Sequence, residues 1–118
     1  MRSDAGPYPD FSVHVAPTPD GGTDVAVFGE LDLATAGEVE AALEKAIGAP
    51  GRVVIDLRAC AFVDSTGVAT LVKAALRLSE QDRGLLIRGA KERVMRILDI
   101  AGVARMENIA IEPERSSA

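Results

Sequence analysis

The 118-residue sequence has one cysteine, Cys60, one histidine, His14, and no tryptophan; one tyrosine and three phenylalanines are its only aromatic side chains. A single thiol closes no disulfide within the chain, and one thiol with one histidine makes no cysteine-based zinc site. Its apolar neighbours Ala59, Ala61 and Phe62 mark Cys60 as a buried structural thiol. Basic residues are also scarce: 13 Lys and Arg stand against 18 Asp and Glu, for a net charge of −5. That excludes the basic face that nucleic acid requires and gives no attraction to anionic lipid. No stretch approaches the ~20 apolar residues of a membrane-spanning helix. The opening MRSDAGPYPD has no apolar signal core, so a cytoplasmic protein is expected. No Walker A loop, GxGxxG or GxSxG elbow occurs, which leaves no nucleotide loop and no hydrolase elbow. A protein that is not an enzyme, without metal or cofactor, is expected.

At this length one domain with a single core is expected, and 47% apolar with 26% charged residues suits a globular fold. Residues 1–10, with two prolines, a glycine and two aspartates, read as a disordered lead, and 113–118 (PERSSA) as a frayed tail; the domain between spans 11–112. Inside it two apolar periods alternate. FSVHVA (11–16) and DVAVFGEL (24–31) read as strands joined by the turn PTPDGG, with Asp20-Gly21 as the hairpin signal. TAGEVEAALEKAIG (35–48) reads as a helix with Thr35 and Glu38 as a capping box and Val39, Ala42, Leu43, Ala46 and Ile47 facing inward. RVVIDL (52–57) is a nearly unbroken apolar run, the mark of a strand covered on both faces. A second helix follows, with Val68, Leu71, Val72, Ala75 and Leu76 predicted as its inner face. Then come a central strand (84–89), a third helix from about Lys91 to Ala101 with Val94, Ile97, Leu98 and Ala101 inward, and an edge strand (106–113). The order ββαβαβα(β), a hairpin followed by crossover helices, implies an α/β fold: a mixed sheet with helices packed on it.

The junction VDSTG (63–67) before the second helix holds a carboxylate, two hydroxyls and a glycine. Asp64 ends the loop after the buried strand, and Ser65 or Thr66 is predicted as the N-cap, worth roughly 1 kcal/mol. Gly67 permits a close approach to the backbone. One cap needs one hydroxyl, and the second is left over. Helix N-termini at the carboxyl ends of strands accept negative charge, so a serine here tolerates a phosphate in the free protein. The same phosphate would stand beside Asp64 and near Asp32, and would have to be desolvated or repelled inside a protein contact.

GELDLATAGEVEAAL (29–43), VVIDLRACAFVDSTGVATLV (53–72) and RVMRILDIAGVARM (93–106) resemble the STAS domain, most of all that of bacterial anti-sigma-factor antagonists. The resemblance runs over most of residues 11–112 in the family's order. It implies the antagonist-like fold, with helices mainly on one face of the mixed sheet. It also implies partner switching. The unphosphorylated antagonist binds an anti-sigma factor that is also a serine kinase of the histidine-kinase-like ATPase superfamily, and so releases the sigma factor. The kinase then phosphorylates the antagonist, and a phosphoserine phosphatase resets it. The family's phosphoacceptor falls on Ser65, with Asp64, Thr66 and Gly67 completing the motif. The GELD aspartate, Asp32, falls on a position that supports binding or transfer; from the residues alone, a turn-forming aspartate is an equal reading. Val68 stands where the family usually has leucine.

Three functions compete: a phosphoswitched antagonist, a STAS scaffold without a switch such as the soluble subunit of a transporter complex, and a small enzyme or phosphotransfer receiver. Asp56 ends the central strand where a receiver aspartate sits, but GELD supplies its acids on a hairpin strand, in the wrong topology. Asp56 is expected instead to hydrogen-bond the following loop, and His14 to lie on the surface.

Overall fold

The computed structural model of the chain describes residues 10–114. Strands β1 (Ser12–Pro17) and β2 (Thr23–Leu31) form the antiparallel hairpin, in register from Ser12 opposite Phe28 to Pro17 opposite Thr23. Gly21 adopts φ +90° in its turn, a conformation open to glycine. Helix α1 (Ala36–Gly48) leads to β3 (Val53–Asp56) and then to β4 (Cys60–Val63). Helix α2 (Ser65–Ser79), β5 (Leu85–Ala90), α3 (Glu92–Ile100), a 3-10 turn (Val103–Arg105) and β6 (Ile109–Pro113) complete the chain. The sheet order is β1-β2-β3-β5-β6, with β4 on β2, and every pairing except the hairpin is parallel.

Strand β2 forks. Thr23–Ala26 pairs with β3, and after an irregularity at Gly29 the end of the strand pairs with β4, Leu31 lying opposite Val63. The four-residue β4 was expected to be loop, because Cys60–Val63 is too short for its alternation to register. The fork delivers Leu31 and Val63 side by side, so the loops leaving β2 and β4 start as neighbours.

The core lies on one side of the sheet. Val25 and Val27, Val53 and Ile55, and Leu85 and Ile87 meet helix residues such as Leu43, Leu71 and Leu98. The alternating residues Val54 and Leu86 are buried but stand outside that cluster, so the helices cover one face. The inward residues expected of α1 are all buried.

Other expectations are corrected. Thr35 precedes α1 but makes no side-chain cap; its hydroxyl donates to the Glu30 carbonyl (2.7 Å) and accepts from the Asp32 amide (3.0 Å), so the capping box is absent. The buried face of α2 is Gly67, Thr70, Leu71, Ala74, Ala75 and Leu78, about one residue around the helix from the predicted stripe, and Leu76 is 56% exposed. In α3 Val94 and Leu98 are buried, while Ala101 follows the helix and is exposed. Strand β6 runs through Pro113, and the Glu114 amide donates to the Ala90 carbonyl (3.1 Å), so ordered pairing passes the boundary expected at 112. The rest of the expected tail, and the lead up to residue 9, lie outside the described residues.

Candidate functional site

The loop after β2 and the start of α2 are joined by one side chain, Asp64. Its backbone is extended (φ −98°, ψ −174°), the conformation of an N-cap, and its Oδ1 accepts the Gly67 amide at 2.9 Å. Its other oxygen, Oδ2, accepts the Leu33 amide at 3.2 Å, and its own amide donates to the Leu31 carbonyl at 3.1 Å. The cap is therefore the carboxylate, which corrects the expectation that Ser65 or Thr66 would serve. Ser65 is the first helical residue, with its side chain exposed. Thr66 is half-buried, and its carbonyl accepts the Thr70 hydroxyl (3.1 Å).

Gly67 does allow a close approach, and the chain itself makes it. A Cβ there would fall 2.6 Å from the Leu31 carbonyl oxygen and 2.9 Å from a Val63 methyl. The first turn of α2 thus seats directly on the β2–β4 pair, which fixes where Ser65 points.

Asp32 lies in the adjoining loop, and its carboxylate shapes a turn: Oδ1 accepts the amides of Ala34 (3.0 Å) and Thr35 (3.2 Å). Between these aspartates Leu33 projects outward, 77% exposed. Neither sequence pattern nor resemblance singled it out. An apolar residue inside a polar loop was the only available sign.

The exposed face of α2 continues from Ser65. Ala69, Val72 and Leu76 follow it at i+4, i+7 and i+11, one stripe along the helix; Ala69 and Leu76 are exposed, while Val72 and the neighbouring Val68 are half-buried against the core. None of these five residues is charged. Cross-helix ion pairs, Lys73 with Glu40 and Arg77 with Glu44, border the stripe on the side of α1. A hydroxyl at a helix start, an exposed leucine beside it and an uncharged stripe beyond it thus lie on one surface.

The remaining candidates stand apart from this surface. Asp56 is 5% exposed; its Oδ1 accepts the Arg58 amide (3.0 Å) and its carboxylate takes the Arg58 guanidinium at 2.6–3.1 Å, which fixes the loop after β3 as expected. Burial pushes this carboxyl up, but the Arg58 hydrogen bonds and charge outweigh it and hold it below its ordinary value. Cys60 is fully buried; its thiol donates to the Phe62 carbonyl (3.3 Å), and burial pushes its pKa up. His14 is exposed and meets Phe28 edge-on at 4.9 Å.

A family model described as Mlab, STAS domain, matches residues 15–110. The chain belongs to the STAS domain family. The membership inferred from GELD and VDSTG is thus the one the comparison finds. An anti-sigma-B factor antagonist of Listeria monocytogenes is 35% identical to this STAS domain over 82 residues, covering 69% of this chain and 72% of the relative. One from Staphylococcus epidermidis is 33% identical, covering 73% and 81%. Among solved structures, an anti-sigma factor antagonist from Mycobacterium paratuberculosis superposes with a TM-score of 0.71 at 27% identity over 85% of each chain. The Bacillus cell fate determinant SpoIIAA in its phosphorylated form shares the fold, with a TM-score of 0.66 at 17% identity over 87% of this chain and 93% of the other. No helix among the described residues is long and apolar enough to cross a membrane.

Proposed function

We propose that this STAS domain is an anti-sigma-factor antagonist whose grip on an anti-sigma factor is released by phosphorylation of Ser65. The observation that carries the reading is the place of Ser65: exposed, at the first position of α2, at the head of an uncharged stripe. Two relatives at 33–35% identity carry the name anti-sigma-B factor antagonist, which agrees with it. The anti-sigma factor is taken to be a serine kinase as well, and a phosphoserine phosphatase restores the docking form. No catalytic group is needed on this chain; its side chains dock, and the partner supplies the phosphoryl transfer. Asp64 and Gly67 present the serine by fixing the first turn of α2, while Asp32 shapes the loop that carries Leu33.

The energies favour a switch over unfolding. A phosphate adds about −1.5 to −2 charge. At a helix N-terminus that charge gains about 0.3–1 kcal/mol when exposed, partly offset by the Asp64 carboxylate next door. Inside a contact formed by Leu33, Val72 and Leu76, the same charge must be stripped of water without a cation to meet it. A loss of about 4 kcal/mol weakens docking on the order of a thousandfold.

The test uses the co-encoded anti-sigma factor with ATP, phosphopeptide mapping by mass spectrometry, and calorimetric titration. Label is expected on Ser65 and lost in Ser65→Ala. Ser65→Ala should bind within a few-fold of the unmodified chain and Ser65→Asp much more weakly. Binding of Ser65→Asp at full strength, with no label from any co-encoded kinase, would instead favour a STAS scaffold without a switch.

A further inference from the structure

We propose that the outer edge of β1 is a self-association surface, where β1 of a second copy adds antiparallel about a two-fold axis with the two Val15 residues opposite each other. Sheet edges offer unpaired amides and carbonyls, and soluble proteins guard them with charges, prolines or covering elements. The edge at β6 is guarded: exposed Glu112 sits in the strand, Pro113 ends it, and Glu114 beyond it pairs with Lys91 (3.2 Å). The edge at β1 has almost none of this. Ser12–Pro17 carries no carboxylate, ammonium or guanidinium, His14 to Pro17 are all exposed, and no described residue pairs with its outer side. Only Pro17, at its last position, blunts it.

Both faces beside this edge expose apolar surface. Val15 is 53% exposed on the helix-bearing side, where it pairs with core residue Val25. Phe28 is 42% exposed on the other side, against His14. A strand without charge also lets two copies meet, each of net charge −5, with no like charges opposite within the pairing.

Symmetry allows the registers in which a residue meets its own copy, and the exposed Val15 selects among them. Two antiparallel strands related by a two-fold lie about an axis perpendicular to the sheet, which keeps the helices of both copies on the same side. Opposed residues must then share a face, and the register that buries the exposed Val15 against its copy sets His14 opposite Ala16. The contact is closed: it uses up both β1 edges and leaves the guarded β6 edges, at the far end of the β1-β2-β3-β5-β6 order, free. Its length is limited, because beyond the strand ends this register brings Asp10 of one copy toward Asp20 of the other, a carboxylate that Arg52 neutralises only at 3.9 Å. Five residue pairs bury less than the ~1,200 Å² of a standard interface, so the dimer is weak and concentration-dependent.

Sedimentation equilibrium of the full chain, from micromolar to millimolar, tests this. The weight-average mass should climb from one 12.3 kDa chain toward two. Val15→Lys should weaken association at least tenfold, while Leu76→Glu, on the α2 stripe, leaves it unchanged. Under mild oxidation Val15→Cys should form a disulfide-linked dimer, since the native Cys60 is fully buried, and Leu76→Cys should stay largely unlinked. A single-chain mass at every concentration overturns the proposal. So does association that Leu76→Glu abolishes and Val15→Lys spares, or cross-linking of Leu76→Cys as fast as of Val15→Cys. None of these outcomes depends on whether Ser65 is phosphorylated.

Discussion

Asp64 does two jobs with one carboxylate, closing the first turn of α2 through the Gly67 amide and holding the Leu33 loop against it. Ser65, one residue on, contributes no cap. Asp64→Ala should therefore cost about 1–2 kcal/mol, and Ser65→Ala should stay within about 0.5 kcal/mol, in urea denaturation at neutral pH. The reverse order would hand the cap back to the serine. The sequence presents three cap-forming residues in a row, and choosing among them needs the helix start to one residue, which side-chain chemistry alone does not set. The exposed serine itself was legible, because VDSTG holds more hydroxyls than a helix start uses. Asp56 offers a second test at this scale. Its folded-state pKa lies below the ordinary carboxylate value, because the hydrogen bonds and charge of Arg58 outweigh burial. The unfolded chain thus binds the proton more tightly, and the stability this group adds is present above the ordinary carboxylate pKa and fades as pH falls through the folded value. Asp56→Asn should cost about 1–3 kcal/mol at pH 7 and progressively less on acidification, read from denaturant melts at a series of pH values.

At the scale of elements, α2 carries the proposed docking surface. Ranking residues by hydrophobicity turned the helix inward on Val68, Leu71, Val72, Ala75 and Leu76; Leu71 and Ala75 are buried, Val68 and Val72 are half-buried against the core, and Leu76 is exposed, while Gly67, Thr70, Ala74 and Leu78 complete the buried face. Small residues let a helix lie close: a Cβ at Gly67 would fall 2.6 Å from the Leu31 carbonyl oxygen, so the helix turns that face inward and leaves Leu76 outside. Periodicity found the helix and could not weigh close approach against bulk, so Leu76, alone among the five predicted inward residues, was read as core and lies exposed. An exposed leucine contributes little to folding, and its apolar area leaves water when an apolar contact covers it. Leu76→Glu should leave the thermal midpoint nearly unchanged and weaken anti-sigma-factor binding about tenfold, by titration calorimetry. A large loss of stability with unchanged binding would return Leu76 to the core. Length hid β4: four residues are too short for alternation to register, and they pair with a strand more than thirty positions earlier.

At the scale of the whole molecule, the alternation of strand and helix periods was enough to order all the elements but β4, since each crossover implies a parallel neighbour. Beyond the shared apolar core, a long-range polar contact also joins those units, and it left no periodic trace. Arg83, in the turn between α2 and β5, donates to the carbonyls of Ile47, Ala49 and Gly51, each at 2.7 Å. Those oxygens lie at the exit of α1, where helix carbonyls end without partners of their own. Asn108, ahead of β6, fixes the same turn by donating to the carbonyls of Ala75 (2.7 Å) and Arg83 (3.1 Å). One guanidinium thus joins the unit leaving α1 to the unit entering β5. Lysine carries the charge but lacks the planar fork that reaches three acceptors at once. Arg83→Lys should therefore cost about 1.5–3 kcal/mol, the range for hydrogen bonds to a charged group, and lower the midpoint of a thermal melt by on the order of 5–15 °C for a domain of this size. The loss should appear as one cooperative transition at lower temperature, because the carbonyls Arg83 caps belong to the α1 exit while its own backbone belongs to the turn that Asn108 holds. An unchanged midpoint would mean that water serves the three carbonyls as well as the guanidinium does, and that packing alone joins the two units.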